Sequence, residues 1–488
     1  MNEDTENPST VVRSTQNEIP SLPVIVPTLR QLDMLSQDDL ELVHTSNVLR
    51  PSQLSGQRPM RVAFALLVLL AYRRERLRDQ RFSDSPWDRW FQETEAKRGL
   101  VVIEKNIQLL WEEFLSSYCN PKDVEGALWT EFPLEEGCSQ RIRVVDHLAE
   151  ADPPIYLLTH QVVQYSLLNY WRKGPVVDPS TARHYLTTKY DSLCTPRLSH
   201  AVDLGSRMIF FALLASYTLD PPRKPSIYIA SLEYIHAREI FLMLFAVSIP
   251  WLYLGIPFAL TTLAFLSSLP SVPFPGDIAF NILLISLFSQ LFLFHLPVPP
   301  CPIFIFSLQD TLPFVLLLFW RVSHVIVRLF LFFLPALILS LYLLSFSMAD
   351  TFLRIQITSW LVDPSPMETR GGYLVLLFLV MAMICICFFV VVPVSSPLIS
   401  SPSWDVYSKD IGVAARTAFV HALIRYSYPY PFPPPFNTVR FLFLLIPSFV
   451  FQRLGVPPSL FDKLNRGLWR LIVGPVFLLI GVLMSKLP

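Results

Sequence analysis

The chain has 488 residues, 52% hydrophobic and only 16% charged, with a formal net charge of zero. A typical soluble chain is roughly 25% charged, so an ordinary soluble globule does not describe the whole, and the balanced charge gives no global argument for a nucleic-acid partner. The deficit in charge lies almost wholly beyond residue 207, which divides the chain into a polar front and an apolar rear.

Residues 1–30 are rich in Ser, Thr, Pro and Asn without periodicity and read as a disordered arm. No basic segment followed by an apolar core stands there, so no cleavable signal peptide is expected and the front should remain cytosolic. Residues 31–197 read as a cytosolic, linear helical domain. RVAFALLVLLAYRRERLRDQ from Arg61 has an apolar core too short to span a bilayer, which favours a buried helix. In GLVVIEKNIQLLWEEFLSSY, Ile103, Ile107, Leu110, Trp111 and Phe114 recur at helical spacing, and Asn120-Pro121 should stop the chain there. PIYLLTHQVVQYSLLNYWRKG predicts another helix, closed by its glycine. Val and Ile clusters are few and hairpin dipeptides absent, which points to an all-α front.

Residues 198–394 read as a transmembrane domain of about six spans, each apolar run approaching the roughly 20 residues a bilayer-crossing helix requires. The first covers Ser206 to Leu219, with Asp203 and Arg207 placed in the interface, because either costs about 2.5 to 3.5 kcal/mol at a span centre. EIFLMLFAVSIPWLYLGIPFALTTLAFL contains Pro250 and Pro257 and predicts either one kinked span or a span followed by a re-entrant piece. IAFNILLISLFSQLFLFHL and PIFIFSLQDTLPFVLLLFW are joined by the turn PVPPCP and form a hairpin. A second hairpin, 322–393, sets two long apolar runs around the polar loop ADTFLRIQITSWLVDPSPMETRGG, the layout of a pore. Residues 395–488 form a cytosolic or interfacial helical tail, with an interfacial helix in RFLFLLIPSFVFQRL and an extra apolar segment, 468–485, that either spans or packs on the others. From Ser395 onward nine Lys or Arg face three Asp, which places this tail, and with it both termini, in the cytosol.

The six cysteines show no zinc or CxxC spacing, and no GxSxG, HExxH, GxGxxG, P-loop or EF-hand motif occurs, so neither a cofactor, a metal site nor an enzyme is expected. Polar groups within spans carry the functional candidates, since an ionisable side chain in hydrocarbon needs a partner. Asp310 lies in one predicted span and Arg328 in the next, and the two can pair. In the loop, Asp363 and Glu368 form carboxylate rings in a symmetric oligomer, attracting cations; in an exposed loop they are merely solvated. Phe388 and Val392, at helical spacing near the cytosolic end of the last span, either close a pore by dewetting or face lipid.

The tail AARTAFVHALIRYSYPYPFPPPFNTVRFLFLLIPSFVFQRL, followed by FDKLNRGLWRLIVGPVFLLIGVL, resembles the segment after the last pore helix in the fungal vacuolar TRP-like cation channels. The features that carry the resemblance are the helix Thr417 to Tyr426, the turn Pro434 to Asn437, the apolar stretch Phe441 to Phe451 and the helix from Leu464 onward. CTPR at Cys194 to Arg197 and GGYLVLLFLVMAM at the last span are similar to the corresponding junctions. The resemblance implies an all-α, multispan homotetramer in the vacuolar or another internal membrane, with a lipid-embedded pore between the fifth and sixth spans that releases calcium and other cations. Three other readings stand beside it: a diverged channel-like relative that has lost conduction, a non-conducting membrane scaffold whose helical front binds a partner, and an integral-membrane lipid-modifying enzyme using Asp310, His324 and Arg328.

Overall fold

A computed structural model describes residues 22–35, 40–54, 57–78, 86–117, 120–136, 141–174, 190–191, 194–219, 237–248, 307–321, 403–428, 430–452 and 458–484. The described residues are overwhelmingly helical, in agreement with the all-α expectation; the one described β ladder pairs two-residue strands, β1 (Phe132–Pro133) and β2 (Arg141–Ile142), antiparallel. The chain packs as two compact units, residues 1–166 and 167–488.

The first unit begins earlier than its composition suggests. Helix α1 (Ile25–Asp33) starts inside the stretch read as a disordered arm, because Ile25, Leu29 and Leu32 fall on one helical face and are buried. The unit is organised around α2 (Arg58–Arg78), which packs against α1, α3 (Pro86–Ser116), α4 (Pro121–Trp129) and α5 (Val144–Leu148). Every residue from Ala63 to Arg73 is buried, so α2 is covered on all sides, and it is a core helix as its length indicates. The face of α3 that meets it contains Ile103, Ile107, Leu110, Trp111 and Phe114, all buried, as the periodicity requires.

Arg73 closes this core. Its Nη1 donates to the Asp152 carbonyl at 2.6 Å, its Nη2 pairs with the Asp152 carboxylate at 3.2 Å and its Nε donates to Glu104 at 3.2 Å, so the buried guanidinium keeps its partners. At Asn120-Pro121 the chain does more than stop a helix. Asn120 and Asp123 form a capping box around Pro121 at the first helical position, and α4 starts there.

The helix expected through residues 154–174 is broken into α6 (Ile155–Thr159) and α7 (Gln161–Lys173). His160 takes extended backbone between them, and its Nδ1 accepts the Val162 N–H at 3.2 Å, so the ring supplies one of the acceptors that a new helix start needs. Gly174, at φ +71°, ends α7 by donating its N–H to the Tyr170 carbonyl at 2.8 Å, a left-handed cap suited to glycine.

The boundary between the units lies inside α7, about thirty residues before the expected one. Trp171, on the C-terminal half of α7, sits within 6.4 Å of the rings of His200, Phe419 and Tyr426. In the second unit α8 (Pro196–Leu219) packs against α9 (Ala237–Ser248), α11 (Lys409–Tyr426) and the terminal helix, and α10 (Leu308–Arg321) packs against α11. Two long helices follow, each interrupted by one π segment. The first joins α12 (Asn437–Arg440) through Phe441–Leu445 to α13 (Ile446–Gln452); the second joins α14 (Pro458–Leu468) through Trp469–Val473 to α15 (Gly474–Met484).

Among the described residues, one helix, Lys463–Leu483, is long and apolar enough to cross a membrane. Apolar side chains point outward from α8 (Met208, Ile209), α9 (Ile240, Phe241, Leu244), the 437–452 helix (Phe441, Leu442, Phe443) and α15 (Leu478, Leu479, Val482).

The packing of α3 gives a first expected outcome. Ile107→Ala, which empties a fully buried site, lowers unfolding stability by about 2–5 kcal/mol. Val101→Ala, on the exposed face of the same helix, changes it by less than about 0.5 kcal/mol. Chemical denaturation of the two full-length variants side by side checks the difference.

Candidate functional site

Among the described residues of the second unit, several polar contacts gather where residues 190–207 meet the C-terminal helices. Asp191 is their hub. Arg470 approaches the carboxylate as a two-pronged fork, Nε to Oδ1 at 2.9 Å and Nη2 to Oδ2 at 2.6 Å, and the Tyr430 hydroxyl donates to Oδ2 at 3.1 Å. The neighbouring Tyr190 hydroxyl donates to the Arg470 carbonyl at 3.1 Å, so both ends of that arginine residue are held.

The backbone around Trp469 and Arg470 is wound as a π segment, which inserts a residue into the helix and separates two side chains with different roles. Trp469 is fully buried and donates its Nε1 to the Pro431 carbonyl at 3.0 Å; Arg470 turns to Asp191. One turn on, Gly474 lies so close to the Tyr190 ring that a Cβ would collide with its hydroxyl, hence no side chain fits there.

Tyr430 is a non-glycine residue at φ 56°, in the left-handed region, which costs of order 1–3 kcal/mol unless the surroundings impose it. Here they do. Its hydroxyl is on Asp191, the Arg466 guanidinium stacks 5.3 Å from its ring and the Trp469 ring lies at 5.5 Å. Burial pushes the Tyr430 phenol up, with the Asp191 charge adding to it. Next to it, the Cys194 thiol is pushed up to about 12 by burial, which outweighs a hydrogen bond from the Tyr430 backbone. Leu198, Val202, Phe432, Trp469, Val473 and Phe477 form the apolar floor beneath.

A second node lies further along α8. Asp203 and Arg207 pair at 3.2 Å one turn apart, and the Tyr426 hydroxyl on α11 donates to Asp203 at 2.8 Å. Burial raises the Tyr426 phenol well above its ordinary range, and Asp203 reinforces the shift. The two charged residues that the hydropathy pattern places at the entrance of the first span are therefore neutralised by each other and bonded to the tail.

A third node, Arg416 on Asp405 at 2.8 and 2.9 Å with the Trp404 ring beneath, fixes the start of α11. The nodes keep their phenols protonated and their charges paired, an arrangement suited to holding segments together. Among the described residues no group of three or more His, Cys, Asp or Glu could hold a metal ion.

Of the candidates drawn from the sequence, only Asp310 falls within the described residues. It stands exposed in the first turn of α10, where the helix dipole favours a carboxylate, and its charge adds to the burial that raises the Tyr407 phenol. Asp363, Glu368, Phe388, Val392 and Arg328 lie outside the described residues, as does the pore hairpin 322–393. Asp191, Tyr190 and Tyr430 escaped the sequence analysis. The signal for them was Arg470, a cation in an apolar helix that requires a carboxylate partner.

Removing that partner has a defined cost. Asp191→Ala strands a guanidinium that is two-thirds buried, and a loss of about 1–3 kcal/mol is expected. An Asp191→Ala, Arg470→Ala double-mutant cycle in thermal denaturation isolates the pair. In native protein at pH 8, Cys194 gains no maleimide adduct by mass spectrometry, because its thiol ionises far above that pH; denatured protein labels fully.

No family model, no curated protein and no solved structure matches this chain.

Proposed function

We propose that this chain is a TRP-like, calcium-permeable cation channel of a fungal internal membrane, the vacuolar one first, working as a homotetramer of multispan subunits with both termini cytosolic. The observation that carries the membrane part of this reading is the outward apolar surface of the second unit: separate helices from α8 to α15 turn Met, Ile, Leu and Phe side chains to the outside. Water disfavours such surfaces on this scale, and lipid accepts them.

The channel part rests on the resemblance, and one feature of the packing supports it. The stretches that carry the likeness, CTPR at 194–197 and the tail from 417 onward, are more than two hundred residues apart in sequence. They meet around Asp191 and Asp203, so the segment before the first span and the segment after the last run form one packed element. A movement of the last span is then passed directly to the entrance of the first.

In this reading Asp363 and Glu368 attract cations at the pore mouth, and Phe388 and Val392 form the hydrophobic constriction. The test is current through the full-length protein reconstituted in planar bilayers. Wild-type protein carries a cation-selective current, and the Asp363→Asn, Glu368→Gln double variant loses calcium permeability relative to potassium severalfold. Silence of the wild type under voltage, calcium and osmotic stimuli overturns the channel reading; unchanged permeability in the variant overturns the filter assignment alone.

A further inference from the structure

We propose that the first compact unit holds a binding cleft for a small phosphate-bearing anion, formed by Arg50, Arg58 and Arg61 where α2 begins. The cleft encloses about 140 Å³. A water takes about 30 Å³ in the liquid, so this space holds about five water-sized groups, enough for one tetrahedral phosphate. Val62, Leu110 and Phe114 form an apolar floor, and the three arginines and His44 stand around it. An apolar wall lowers the local dielectric and strengthens the pull of the three guanidinium groups on an anion.

The charges do not balance within the cleft. Glu113 is the one carboxylate in its lining, and it reaches only Arg50, at 3.4 Å, with both side chains about half exposed. Arg58 also has a structural role, since its Nη2 donates to the Glu113 and Phe114 carbonyls at 3.3 and 3.2 Å and closes the C-terminal end of α3. Those bonds occupy one edge of the guanidinium. Arg61, half-buried and one turn along α2, makes no side-chain hydrogen bond or ion pair among the described residues.

A half-buried arginine beside two others repels them unless an anion is present, and the positive end of α2 adds to the repulsion. The tetrahedral phosphate, with up to two charges and three acceptor oxygens, satisfies several guanidinium forks together. A carboxylate satisfies one, which Glu113 already does. This site lies within the first unit and stands whatever the second unit conducts.

Calorimetry on the full-length protein in detergent micelles, titrated with inorganic pyrophosphate, tests the site, and nanodiscs with and without a phosphatidylinositol phosphate distinguish a free anion from a lipid headgroup. Pyrophosphate or the phosphoinositide binds the wild type, and Arg61→Ala weakens that binding at least tenfold. Glu113→Gln strengthens it severalfold, a gain that misfolding cannot imitate. Lys97→Ala, which removes an exposed cation elsewhere on the unit, leaves it unchanged. The proposal is overturned if neither probe binds, if Lys97→Ala costs as much as Arg61→Ala, if Glu113→Gln weakens binding, or if a glutamate-rich peptide binds where the phosphates do not.

Discussion

The C-terminal packing depends on one carboxylate. Arg470 sits in the only described helix apolar and long enough to cross a bilayer, and its guanidinium, two-thirds buried there, needs a partner for the part that water does not reach. Asp191 meets it with both oxygens, and the consequences spread outward from that contact. Holding Arg470 orients the π segment, which drives Trp469 into the floor. Trp469 and Asp191 together keep Tyr430 in a backbone conformation it would not otherwise adopt, and Gly474 is required so that Tyr190 can approach. A chain of small costs is thus offset by one charge pair and the apolar cluster beneath it.

The same logic separates the two units. In the first, the apolar faces are turned inward and α2 is enclosed on all sides, with Arg73 sealing the edge through ionic and carbonyl partners. In the second, the inner faces are closed by aromatic rings and paired charges while the outer faces stay apolar. Among the described residues, three of its carboxylates, Asp191, Asp203 and Asp405, are each paired with an arginine.

The nodes join segments far apart in sequence. Asp203 and Asp191 precede or open the first expected span, and their partners Tyr426, Tyr430 and Arg470 follow the last one. Hydrogen bonds and a buried tryptophan join these segments, and burial keeps the Tyr426 and Tyr430 phenols and the Cys194 thiol protonated. In a gated pore, these contacts would tie the opening of the last span to the rest of the subunit.

Helical periodicity alone determined much of the first unit: the face from Ile103 to Phe114 and the burial of α2 follow from spacing and length, which depend on local geometry. Hydropathy likewise marked the apolar rear. Tertiary structure decided the rest, because the deciding contacts join residues far apart in sequence. Only packing could name Asp191 as the acid, 279 residues away, or strain Tyr430 into place. Only packing could start the first helix at Ile25, where a polar-looking arm hides three buried side chains, and break the helix at His160, where a ring nitrogen outcompetes the next turn of backbone. Local pattern states what each segment must bury or neutralise, and the fold chooses with which distant residue it does so.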